Sequence, residues 1–142
     1  MKLTILIFGA LALTLSIPAQ CDDTFKQCVD FVSDTVSSPR EAALHCKAVK
    51  SMDCVNWVFE SPTVLRPEDA ADACANVNLL ECAQWVAESL TINSREEATA
   101  ACRFVQSMEC INTVCADPSV TKREDAAAAC QGLKIVIESP SP

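Results

Sequence analysis

Glycine and tyrosine are almost missing from this chain: two glycines and no tyrosine occur in 142 residues. Tight β-hairpin turns and phosphate-cradling loops both lean on glycine, so sheet architectures and nucleotide-binding loops are disfavoured. Histidine occurs once, at His45, and no two cysteines stand as Cys-x-x-Cys, which removes the close ligand spacing of a zinc site. Past residue 17 there is no run of about 18 apolar residues, the length a membrane span needs. Basic residues are scarce as well, 11 against 19 acidic ones for a formal net charge of −8. Nucleic acid and anionic membranes are therefore poor partners, and a cationic protein surface is a better one.

What the chain does have is thiol and alanine-rich helix. Met1 and Lys2 precede the apolar run from Leu3 to Ile17, which ends at Pro18 and Ala19. A charged start, an apolar middle and a small-residue exit predict a secretory signal peptide over residues 1–19, with the mature chain beginning near Gln20. All ten cysteines lie beyond that point. An even number of thiols in an oxidising compartment predicts five disulfides and a secreted, extracellular protein. The length suits one domain over residues 20–138, followed by a disordered tail at 139–142, Ser-Pro-Ser-Pro.

Cys46, Cys74, Cys102 and Cys130 are spaced by 28, as are Cys54, Cys82 and Cys110, and as are Val36, Val64, Ile92 and Val120. Agreement among three registers predicts a 28-residue repeat. Helix starts recur with it. Ser38-Pro39-Arg40-Glu41 and Ser94-Arg95-Glu96-Glu97 read as capping boxes. Arg66-Pro67-Glu68-Asp69 and Lys122-Arg123-Glu124-Asp125 keep the acids that face the positive end of a helix dipole. Helices are expected to begin near residues 39, 67, 95 and 123, with interruptions at 60–62, 90–93 and 117–119. The expected fold is all-α: a disulfide-stapled antiparallel bundle or short solenoid of about five helices.

Two pairing frames compete. One joins Cys28 to Cys46, Cys54 to Cys74, Cys82 to Cys102 and Cys110 to Cys130, each across one inter-helix connection. The other joins Cys46 to Cys54 and its equivalents, but it leaves Cys130 facing Glu138 and asks for a bond across eight residues, about 12 Å of helix. The first frame is favoured. Cys21 and Cys115 remain, and in an up-down bundle they would close the first helix onto the fourth.

Expected core positions are Phe31, Trp57 and Trp85, Val49, Val77, Val105 and Leu133, and Met52, Leu80 and Met108. His45 beside Cys46, with Glu41 one turn earlier, has the residue types of a nucleophilic pair, but an oxidised Cys46 has no thiolate to offer. Asp53, Glu81 and Glu109, each just before a cysteine, read as capping or solvated acids and lack EF-hand spacing. No catalytic, cofactor or metal constellation stands out. The expectation is a non-catalytic extracellular protein-binding effector, such as a venom component or pheromone. The alternative is a carrier that holds an apolar small molecule or lipid near Trp57 and Trp85.

Overall fold

The computed structural model describes residues 23–133. The expected signal peptide, Cys21 and the tail at 139–142 lie outside them. Eight helices run through the described residues: α1 Asp23–Val32, α2 Pro39–Cys46, α3 Met52–Phe59, α4 Pro67–Ala73, α5 Leu80–Ala87, α6 Arg95–Ala101, α7 Met108–Cys115 and α8 Arg123–Ala129. The expectation of about five helices is corrected. Between a cysteine and its neighbour eight residues on, the chain ends one helix and starts another.

The break has a local cause. Ser51 and Ser107 sit in extended conformation and accept the backbone N–H of Asp53 and Glu109, so each opens a new helix. The even helices open as their sequences suggest. Ser38 Oγ accepts from Glu41 N–H, and Ser94 Oγ from Glu97 N–H. The return contact of each glutamate reaches one residue further back than a capping box requires, to the N–H of Ser37 and of Asn93. The helices are only seven to ten residues long, too short to persist alone, so tertiary packing must hold them.

Disulfides provide much of it. Cys28–Cys46, Cys54–Cys74, Cys82–Cys102 and Cys110–Cys130 are bonded, with α-carbons 5.7 to 5.9 Å apart. Each staples an odd helix to the even helix that follows, giving four hairpins. Because the chain breaks between α2 and α3, a bond between Cys46 and Cys54 is not excluded by the length of a continuous helix. What selects the observed frame is therefore the facing of two helices across a connection, not the length of a continuous helix. Cys115, at the end of α7, is exposed and forms no disulfide with another described cysteine; the expected Cys21–Cys115 bond involves Cys21, outside the described residues.

The hairpins pack in chain order. Every substantial helix–helix contact lies within a hairpin or between consecutive ones, so α1 is not set beside α7. A backbone ladder runs through the breaks: Asn76 N–H donates to Ala48 C=O at 2.8 Å, Phe104 N–H to Asn76 C=O at 2.9 Å, and Gly132 N–H to Phe104 C=O at 3.0 Å. Single antiparallel bridges accompany it at Val49 with Ala75, Val77 with Arg103 and Val105 with Gln131. Asn76, Phe104 and Gly132 hold left-handed backbone, at φ of 61°, 61° and 73°. Glycine does this freely and asparagine tolerates it, whereas Phe104 carries steric cost.

Buried residues form two clusters. One gathers Cys28, Val32, Val49, Val55, Val58 and Val77, the other Val86, Val105, Ile111 and the cystines of the last two hairpins, and Trp57 packs against both. Each buried valine contributes about 1.5 to 3 kcal/mol. Val49, Val77 and Val105 are sealed, while Leu133, at the same register position in the last described hairpin, is 53% exposed. Phe31, Trp57, Trp85, Met52, Leu80 and Met108 are half-buried.

Candidate interaction surface

The junctions between hairpins take up three of the arginines, Arg95, Arg103 and Arg123. Arg95 lies over the Trp57 ring, 4.9 Å from its centroid, and donates to the Trp57 carbonyl. Arg123 lies 5.1 Å over Trp85, donates to its carbonyl at 2.6 Å and pairs with Glu88 at 2.6 Å. Arg66 pairs with Glu68, and Arg103 donates to the Asp72 carbonyl at 3.1 Å. Both tryptophans are thus committed to inter-hairpin packing.

A second set of contacts repeats at each junction. Thr35 donates to Glu68 at 2.7 Å, Thr63 to Glu96 at 3.2 Å, and Thr91, helped by Ser89, to Glu124. The Thr35 hydroxyl holds the Glu68 carboxyl below its ordinary range, and Thr91 does the same for Glu124. Sequence reasoning missed both sets of contacts. Their signal is an offset of 33 or 38 residues, which links one hairpin to the next and so is not visible within either hairpin alone.

The outer acids are left free. Asp53, Glu81 and Glu109 sit at the first turns of α3, α5 and α7 and are all exposed. Capping at α3 and α7 is done by serine, so Asp53 and Glu109 do not cap with their side chains. Among the described residues none of the three carboxylates has an ion pair or hydrogen bond. They recur one hairpin apart on the helix starts that follow the backbone ladder. Asp69, Glu97 and Asp125 form a second exposed row at the starts of α4, α6 and α8, with Glu97 engaged by Asn93. The surface therefore presents carboxylates in rows, while Arg95, Arg103 and Arg123 are engaged at the junctions.

His45 is placed with Asp72, not Glu41: its Nδ1 lies 2.8 Å from the Asp72 carboxylate, joining α2 to α4. Glu41 instead accepts from Ser37, whose hydroxyl and N–H hold its carboxyl below the ordinary range. Cys46 is in a disulfide. The histidine thus bridges two hairpins. Among the described residues no three His, Cys, Asp or Glu side chains are grouped to hold a metal ion.

Two open clefts lie between loop tips. One, of about 240 Å³, is lined by Pro62, Thr63, Ile92 and Arg95 among others. The other, of about 400 Å³ and one hairpin further on, is lined by Glu88, Leu90, Thr91 and Arg123 among others. Neither has a tryptophan in its wall. No described helix is long and apolar enough to cross a membrane. Compared with known proteins, the chain matches no family model, no curated protein and no solved structure. The functional reading accordingly rests on this surface.

Proposed function

We propose that this protein is a secreted, non-catalytic effector, of the kind found among venom components and pheromones, that binds a cationic extracellular protein through the row formed by Asp53, Glu81 and Glu109. It is built as a short solenoid of 28-residue, two-helix units. The observation that carries the reading is the unpaired row Asp53, Glu81 and Glu109, repeated on a scaffold whose Arg95 and Arg123 are occupied by tryptophan at the junctions. Four disulfides support an extracellular setting, since such bonds persist where the milieu is oxidising. Rigid spacing of like charges favours a partner with complementary charge and speeds its encounter.

The test uses a folded cationic protein and its acetylated form as probes. Binding is expected for the cationic form, weakening with salt, and the triple variant D53N/E81Q/E109Q loses about tenfold in affinity. A control, D34N/D69N/D125N, removes the same charge away from the row and retains binding. Equal loss in both variants would overturn the row as the binding element. A stoichiometric apolar ligand in native mass spectra of the purified protein would favour the carrier alternative instead.

A further inference from the structure

The Thr–Glu contact at each junction has a counterpart on the two outermost described hairpins. Loop hydroxyls Thr35, Thr63 and Thr91 each meet a glutamate 33 residues further on, at the second position of the next even helix. Carried one step past the last hairpin, the loop position becomes Ser119, with Asp117 where Ser61 and Ser89 stand. Carried one step before the first, the helix position of Glu68, Glu96 and Glu124 becomes Arg40. One end thus offers a carboxylate and the other a guanidinium, at places that would face each other if the array continued. Both are exposed, and Arg40 has no ion pair among the described residues.

Two more register positions agree. Where His45 meets Asp72 in the first junction, the outermost described hairpins carry Ala129 and Leu44, both exposed, Leu44 at 58%. Where Arg103 donates to the Asp72 carbonyl and Gln131 to the Ala101 carbonyl, the next donor in register is the exposed Lys47, and the next acceptors are the last carbonyls of α8. The Trp–Arg contact does not carry over, because Thr113 and Pro39 occupy its places.

We propose that copies of this chain associate head to tail, the last hairpin of one copy seating on the first hairpin of the next, with Asp117 paired to Arg40, Leu44 packed on Ala129 and Lys47 on the α8 carbonyls. The occupant is a second copy because the two ends complement one another in the register of the existing junctions. Neither end complements itself: a two-fold dimer would set Asp117 near Asp117 or Arg40 near Arg40. A heterologous contact that does not close builds open chains. Lacking the Trp–Arg contact, this junction is weaker than the second and third inside the chain, and with no covalent link between copies, association is reversible.

Sedimentation equilibrium of the full oxidised protein at physiological salt tests the proposal. The average mass is expected to rise with concentration beyond that of a dimer. R40E and D117R each place like charges together and weaken association by about tenfold or more. An equimolar mixture of the two restores it, since each copy then finds its complement. A wild type that stays monomeric, single variants that associate as wild type does, or a mixture that stays monomeric would each overturn the proposal. If a charge reversal prevents folding, L44K and A129K probe the same contact. Both are expected to block association, and unchanged association in either would count against it.

Discussion

The first junction between hairpins and the two that follow solve one packing problem with different chemistry. At the first, Phe31 meets Phe59 edge-on at 5.2 Å, and Glu68 is buried to 3% exposure between Thr35 and Arg66. At the second and third, arginine covers tryptophan, and Glu96 and Glu124 stay half-exposed. The switch lies at the first position of the even helices. Pro67 has no cation to offer, and Phe31 stands where Trp57 and Trp85 stand in later hairpins. Aromatic and cation change together across a junction, which identifies the pair, not the single residue, as what specifies it.

The largest way to break the comparison is to remove the staple of the hairpin that takes part in both kinds of junction. C54A/C74A is expected to cost about 3 kcal/mol, the chain-entropy value for a loop of this size, and denaturant melts should show both buried clusters weakened through Trp57. Next, E68A empties a buried, ion-paired site and should cost about 2 kcal/mol, while E96A, half-exposed, should cost less than about 1 kcal/mol. A reversed order would mean the first junction is not the more tightly held. R95A and R123A should each cost about 1 kcal/mol by losing a ring contact and a carbonyl bond. P67R should gain nothing, because no tryptophan awaits it; thermal melts read both.

Acid sharpens the same contrast. Glu68 and Glu124 have carboxyls below their ordinary range, so their ionised forms are favoured by folding. The stability they contribute is complete above the unfolded value of about 4.3 and is lost as pH falls through the lowered folded values. Stability measured from pH 6 down to pH 2 should fall in that window, and E68A should flatten the fall. An unchanged profile would detach Glu68 from the acid response.

Several elements were legible along the chain. Helix class followed from alanine and the missing glycine, and the starts at Pro39, Pro67, Arg95 and Arg123 followed from serine and acid patterns. The second set of starts carries a weaker signal, because Ser51 and Ser107 cap at a shorter spacing than a capping box and Leu79, before α5, offers no side-chain cap at all. Asn76 and Phe104 gave no hint of left-handed backbone, since only their ladder bonds require it. His45 drew attention for its neighbours in sequence, yet its partner is Asp72, 27 residues away.

Taken by itself, the order of residues determined the helical class, the even-helix starts and a cysteine spacing in which every hairpin has its bond, because caps, propensities and loop closure act over a few residues or one connection. Tertiary structure alone decided that each segment divides into two helices, that the hairpins stack in order, and that arginine is spent on tryptophan while Asp53, Glu81 and Glu109 face outward unpaired. Those outcomes depend on contacts between neighbouring hairpins, and such contacts exist only once both partners are folded and in register.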